Sequence, residues 1–277
     1  MSGSTSRFAR PKDAFEFGRN WQRYLDRYLD SERKEIAAES LRALVGEPLE
    51  GKVFVDIGAG SGLFSLCAHD LGASRVVSID VDPEAVVAAE RLRAAAGSPE
   101  QWEVFEASIL DPQLPERLPR ADIVYSWGVL HHTGDMFAAI RNAAGVVAPG
   151  GVFCIAIYNR VTGRLLDSRR WRSVKRFYNR SPSAIRRVLE ALYFTYWLAH
   201  QIRARRNPVS AAAEYKASRG MGLLTDLVDW LGGYPYEFAS VDEIVYFCRD
   251  ECGLDLVRVI PTTPGGLGNN EFVFRRP

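Results

Sequence analysis

Short apolar runs recur along this chain, with helical spacing between them. Residues 52–57 (KVFVDI), 75–79 (RVVSI), 102–106 (WEVFE), 122–126 (DIVYS) and 152–158 (VFCIAIY) have the length and the β-branched or aromatic content of buried strands. Residues 63–71 and 84–95 instead repeat their apolar positions at helical intervals. Asp82-Pro83 supplies the second of these helices with an N-cap and a first-turn proline. Two more strands, 256–260 and 271–274, flank the Gly-rich turn PGGLGNN and bring the count to seven. The alternation predicts an α/β fold with a doubly wound, seven-stranded sheet.

Both ends of this pattern carry additions. Ahead of the first strand, Asp13 and Glu16 have capping-box spacing, and Phe17, Trp21, Tyr24 and Tyr28 repeat at helical intervals. A second helix is predicted over 31–45. After residue 158 the alternation stops, and 160–239 reads as helices, among them the aromatic run VLEALYFTYWLAHQI at 188–202. It resumes at Ser240, whose Glu243 completes a capping box. The predicted organisation is an N-terminal helical cap (1–50), a core made of 51–159 and 240–277, and a helical insertion (160–239) serving as a substrate lid.

Charge sharpens the picture of the insertion. The chain of 277 residues is 47% apolar with a net charge of +1, which by itself implies no particular partner. Between Arg160 and Gly220, however, fifteen Lys or Arg stand against three acidic residues, a net +12, and the rest of the chain carries −11. Such a segment is a solvated helical surface or a surface for an anionic substrate, nucleic acid or an acidic membrane. The cysteines, Cys67, Cys154, Cys248 and Cys252, have no zinc-ligand pattern. The leading residues lack the apolar stretch of a signal peptide, and no run has the length of a membrane span. The expectation is a reduced, cytoplasmic protein in which a peripheral membrane contact is open and the oligomeric state is undetermined.

The chemistry-bearing motif is VFVDIGAGSGLFS at 53–65. A buried strand ends at Asp56, and Gly58, Ala59, Gly60 and Gly62 form a turn that leads into a helix. Glycines there let the backbone approach a ligand, and the helix N-terminus offers free N–H groups. The next strand ends in Asp80, where a carboxylate can accept both hydroxyls of a ribose. A dinucleotide-binding site would place its third glycine at position 63, which is Leu63, and a carboxylate at Asp56 suits an ammonium better than a pyrophosphate.

DIGAGSG, SIDVDP, ASILD, DIVYSWGVLHHTGD and APGGVF, in this order, resemble the motifs of class I S-adenosylmethionine-dependent methyltransferases, with a Rossmann-like sheet, and are similar to the ubiquinone-pathway O-methyltransferases. The resemblance covers residues 51–158. It implies S-adenosylmethionine as cofactor, leaving as S-adenosylhomocysteine. Asp56 and the Gly58–Gly62 turn would hold its methionine part, Asp80 the ribose, and Val81, Ser108 and Ile109 the adenine. Trp127 and Gly128 would lie near the sulfonium, and the helix of Phe17 and Trp21 would close over it. Ser108 stands where many relatives carry Asp. The relatives' Glu-x-x-Glu-His metal set is Gly128-Val129-Leu130-His131-His132 here, so no metal is expected.

A hydroxyl acceptor calls for a general base, and the adjacent His131 and His132, just past the fourth strand, are the candidates, with His131 placed first. Tyr158, Asn159, Arg219, Tyr234, Tyr236 and Glu237 are candidate substrate contacts. The leading reading is O-methylation of a small molecule, such as a phenol, sugar or natural product. Alternatives are an RNA methyltransferase using the basic insertion, transfer to nitrogen, and a catalytically silent scaffold.

Overall fold

The computed structural model describes residues 31–163, 167–208, 210 and 223–277. Trp21, Arg219 and the capping box at Asp13 therefore lie outside the described residues. The opening helix α1 spans Ser31–Val45. Then follow β1 (Val53–Ile57), α2 (Leu63–Asp70), β2 (Arg75–Asp80), α3 (Pro83–Ala95) and β3 (Trp102–Glu106). The second half holds α4 (Leu114–Arg117), β4 (Ala121–Trp127), α5 (Met136–Ala144) and β5 (Val147–Tyr158). The insertion contributes α6 (Ser168–Arg180), α7 (Ser183–Arg203) and α8 (Leu223–Gly232), before α9 (Val241–Asp250), β6 (Asp255–Ile260) and β7 (Asn269–Arg275) close the chain.

The strands form one seven-stranded sheet in the order β3-β2-β1-β4-β5-β7-β6, with β7 antiparallel to both of its neighbours. The order reverses between β1 and β4. At such a switch point the strand ends diverge and leave a crevice for a ligand. Alternation along each strand decides which side chain meets which layer. Val55 and Ile57 of β1 enter the core under α5 and α9, whereas Phe54 enters the core under α1, α2 and α3. Asp56 shares the parity of Phe54, so its carboxylate faces α2 and is buried there.

Two elements depart from the sequence expectation. β5 begins at Val147, five residues before the expected start, and runs through Pro149-Gly150-Gly151. Its pairing with β4 shifts register between Ala121 and Ile123, and a Cβ on Gly151 would stand 2.9 Å from the carbonyl oxygens of Ala121, Ala148 and Asp122. Only glycine fits that approach, so a turn-like sequence continues the strand. α5 was not expected; its N-cap is Asp135, which accepts a hydrogen bond from Ala138 N and so ends the His-His turn.

The capping box at Ser240 forms in full, with Glu243 N donating to Ser240 Oγ and Ser240 N donating to Glu243 Oε2 at 2.8 Å. Replacing Ser240 by Ala removes the side-chain acceptor and should cost about 1 kcal/mol. Thermal unfolding should register this as a midpoint about 2–4 °C lower; an unchanged midpoint would show that the box contributes nothing.

Candidate active site

The crevice at the switch point is floored by a buried carboxylate. Asp56 is 3% exposed, and its Oδ2 accepts a hydrogen bond from Ser65 Oγ at 2.6 Å. Ser65 in turn accepts from Ser78 Oγ at 2.7 Å, and Ser78 from Trp102 Nε1 at 2.8 Å. These four buried groups come from β1, α2, β2 and β3, so a chain of donors directed at one carboxylate ties half the sheet together. Burial pushes the Asp56 pKa up to about 7; the Ser65 hydroxyl opposes the rise and the like charge of Asp80 adds to it.

Asp80, at the end of β2, takes one backbone N–H on each oxygen: Gly60 N on Oδ2 at 3.0 Å and Asp82 N on Oδ1 at 2.9 Å. Burial lifts its pKa to about 6 against those bonds. The glycine turn is held to this geometry by its neighbours. A Cβ on Gly58 (φ +76°) would fall 2.3 Å from Val129 Cγ1, and one on Gly62 (φ +79°) would meet Ala89 at 3.0 Å. Val129 belongs to the stretch after β4, so the turn and the His-His segment are packed as one piece. Val81 and Ser108 are half-buried beside the cradle and Ile109 is buried. Trp127, 38% exposed, donates from Nε1 to Glu271 Oε1 at 2.9 Å and thereby spans from β4 to β7 at the mouth.

The two histidines have different surroundings. His131 is wholly buried; neither ring nitrogen makes a hydrogen bond of good geometry, and the Ala156 backbone offers only weak support. Burial, with His132 and Lys175 adding to it, holds its pKa well below the usual value. His132 is half-buried, and its Nδ1 lies 2.5 Å from the Pro235 carbonyl. A carbonyl only accepts, so Nδ1 carries the proton and Nε2 holds the lone pair of a base. Burial, offset in part by that bond, brings the His132 pKa to about 4.

The returning end of the insertion is stitched to this turn. Glu237 N donates to the His131 carbonyl at 2.9 Å, and Gly134 N donates to Glu237 Oε2 at 3.0 Å. Burial raises the Glu237 carboxyl. The Tyr158 ring packs 4.0 Å from His131 and 5.0 Å from Tyr236, centroid to centroid. Tyr236 is 1% exposed, and Asn159 is occupied by the Gly266 carbonyl and by Asn270. These two, expected at the substrate, are placed as supports of the site wall. Tyr158 and Tyr234 remain half-buried.

Sequence reasoning missed Lys175, the one lysine among twelve arginines in 160–208. It is wholly buried on the stripe of α6 that also carries Trp171 and Tyr178, and that stripe position was its only signal in the sequence. Its Nζ donates to the Trp230 carbonyl and stands 4.0 Å from the Trp230 ring and 4.8 Å from the Tyr236 ring. Burial alone brings its pKa down to about 7.

Residues 55–153 match the family model of a methyltransferase domain. Ribosomal protein L11 methyltransferase of Aliivibrio fischeri (strain MJ11) is 35% identical over 115 residues, 40% of this chain and 37% of that protein. Ubiquinone biosynthesis O-methyltransferase of Methylobacterium sp. (strain 4-46) is 36% identical over 118 residues, 41% of this chain and 44% of that protein. The chain thus spans less than half the length of these curated relatives. Among solved structures, magnesium protoporphyrin IX methyltransferase from Synechocystis PCC 6803 with bound SAH superposes with a TM-score of 0.55 at 14% identity, covering 94% of each chain. The putative methyltransferase in complex with the Haloferax volcanii Trm112 activator gives 0.54 at 17% identity, covering 95% of this chain and 96% of that one. The likeness establishes the fold, a Rossmann-like methyltransferase sheet.

Two stability measurements probe these buried groups. Ser78→Ala leaves the Trp102 N–H unpaired in the core and should cost about 1–3 kcal/mol in denaturant unfolding; a neutral result would mean the chain of donors holds nothing. Lys175→Met should stabilise the fold at pH 7, because the unfolded chain holds the lysine proton that the folded chain resists. The folded pKa lies below the unfolded one, so wild-type stability gains as pH rises above about 7. The advantage of Lys175→Met should therefore shrink toward pH 10, and an advantage independent of pH would contradict the assignment.

Proposed function

We propose that this chain, whose residues 55–153 match the model of a methyltransferase domain, is a class I S-adenosylmethionine-dependent methyltransferase that methylates a hydroxyl oxygen of a small organic molecule, with His132 receiving the proton. The observation that carries this reading is the Pro235 carbonyl on His132 Nδ1, which fixes the tautomer with its basic nitrogen at Nε2.

The cradle suits the cofactor in its donor set. Asp56 is a buried carboxylate raised further by the like charge of Asp80, so it calls for a cation, as a methionine ammonium is. Asp80 presents an acceptor-only carboxylate to a ribose diol, and Val81, Ser108 and Ile109 border the place of the base. Gly58 to Gly62 bring backbone to the ligand, and Trp127 and Gly128 edge the reacting end. When bound, the cofactor supplies a methyl group on a sulfonium, open to in-line attack.

The chain's own contribution is orientation and the handling of one proton. Asp56, Asp80 and the glycine turn would hold the cofactor so that an acceptor oxygen could take its methyl group, the electron pair of the carbon–sulfur bond staying with sulfur. The hydroxyl proton, whose acidity climbs steeply as the oxygen gains carbon, passes to His132 Nε2 and then to solvent. A histidine with a pKa of about 4 is adequate for so acidic a proton, and it stays unprotonated at neutral pH. Wholly buried, His131 serves as a packing partner of Tyr158 rather than as the base. Glu237 holds the turn through Gly134 N, and the half-buried Tyr234 is assigned to the acceptor. The four cysteines are free thiols, in keeping with a cytoplasmic setting.

Transfer to nitrogen is the second reading, favoured by the relatives named as ribosomal protein L11 methyltransferases. It needs no strong base, because a neutral amine attacks with its own lone pair.

Calorimetric titration with S-adenosylmethionine should give micromolar-range binding that Asp80→Ala abolishes; binding unaffected by the substitution would remove Asp80 from the site. With hydroxylated acceptors, His132→Gln should lower kcat by about 100-fold or more. With cofactor and acceptor both saturating, wild-type kcat should stay flat from pH 8 down to about pH 5 and fall below it, because the base form is lost only near its lowered pKa. Amine acceptors turned over equally by wild type and His132→Gln would favour the second reading.

A further inference from the structure

α7 is apolar on two sides, and only one of them is covered. Leu189 and Tyr193 face inward onto the cluster of Trp171, Tyr178, Leu231 and Tyr236. Ile185, Val188, Leu192 and Tyr196, spaced three to four residues apart, form a stripe along the flank beside that pair and are 42%, 58%, 62% and 62% exposed. Large aliphatic side chains in a row at such exposure are a docking surface rather than scatter. The charges beside the stripe have one sign. Glu190, the sole acidic residue of α7, turns inward and accepts a hydrogen bond from Tyr178 Oη at 2.6 Å. Arg203, two turns beyond Tyr196 on the same side, and Arg205 and Arg206 just past the helix end are exposed.

We propose that this outer face of α7 docks on an anionic lipid bilayer, the helix lying in the plane of the headgroups with its stripe in the acyl boundary and its arginines on lipid phosphates. An amphipathic helix of about 20–30 residues with an apolar stripe and basic flanks has the form of an interfacial helix. Among the described residues no helix is long and apolar enough to cross a membrane, so the contact is with one leaflet's surface. The alternatives fit less well. Two copies joined through this face by a two-fold axis would bring arginines of like sign together with no carboxylate of α7 to offset them. A nucleic acid would match the arginines but leave the aliphatic stripe against phosphate and water. The proposal is independent of the acceptor atom and concerns where the protein works.

The test is co-sedimentation of the full chain with phosphatidylcholine vesicles, with and without phosphatidylglycerol. Wild type should pellet with the anionic vesicles, less so at high salt, and remain in the supernatant with phosphatidylcholine alone. V188E/L192E, two changes on side chains already in solvent, should weaken binding on the order of tenfold or more with an unchanged melting temperature. R203E should weaken it most at low salt. Wild type failing to pellet with anionic vesicles, or V188E/L192E pelleting like wild type, would overturn the proposal. So would a wild-type dimer that V188E/L192E dissociates, which would assign the face to a second copy, or retention of RNA in place of vesicles.

Discussion

Burying a carboxylate in the middle of a sheet is costly unless something answers it, and the fold's first half is arranged around that cost at Asp56. The donors that reach it come from three other elements: Ser65 on α2, Ser78 on β2 and, at the end of the chain, Trp102 on β3. Losing any link leaves a buried polar group without its partner. The same carboxylate, held near neutrality of charge by burial, is the group for which a cationic ligand has the most to offer. Stability and ligand recognition are therefore set by one side chain.

The insertion answers to a second buried charge. Lys175 brings a cation into a box of aromatic faces with only the Trp230 carbonyl to receive its proton, and it disfavours protonation of both neighbouring histidines. At the same place the returning segment is fastened to the His-His turn through the Pro235 carbonyl, Glu237 N and the Glu237 carboxylate. The helices of the insertion are thus mechanically and electrostatically joined to the residue proposed as the base. The exposed stripe of α7 leaves a flank of the same unit turned outward.

Much of this was legible from residue order. The sheet, the Ser240 capping box and the cradle from Asp56 to Asp80 follow from local periodicity, caps and glycine spacing, which are short-range signals. What stayed hidden depends on pairing across the chain. Ser65 and Ser78 look like ordinary small residues until α2 is laid over β1 and β2. Pro149-Gly150-Gly151 looks like a turn until β4 draws it into β5. His131 and His132 are alike in sequence and are told apart only by the segment that returns a hundred residues later. Lys175 reads as one more basic residue of a basic helix, although its place among Trp171 and Tyr178 on the stripe was there to be seen. The N-terminal aromatic helix and Arg219 lie outside the described residues.

The most direct test is the proton balance of cofactor binding. Titration calorimetry with S-adenosylmethionine at pH 6.5, in buffers of different ionisation enthalpy, counts the protons exchanged. With Asp56 raised to about 7 in the free protein, the carboxyl is largely protonated there, and an arriving ammonium should ionise it. The account predicts release of protons near pH 6.5 that fades by pH 8.5 and is lost in Asp56→Asn. Binding without proton release, or no binding by folded wild-type protein, would contradict it.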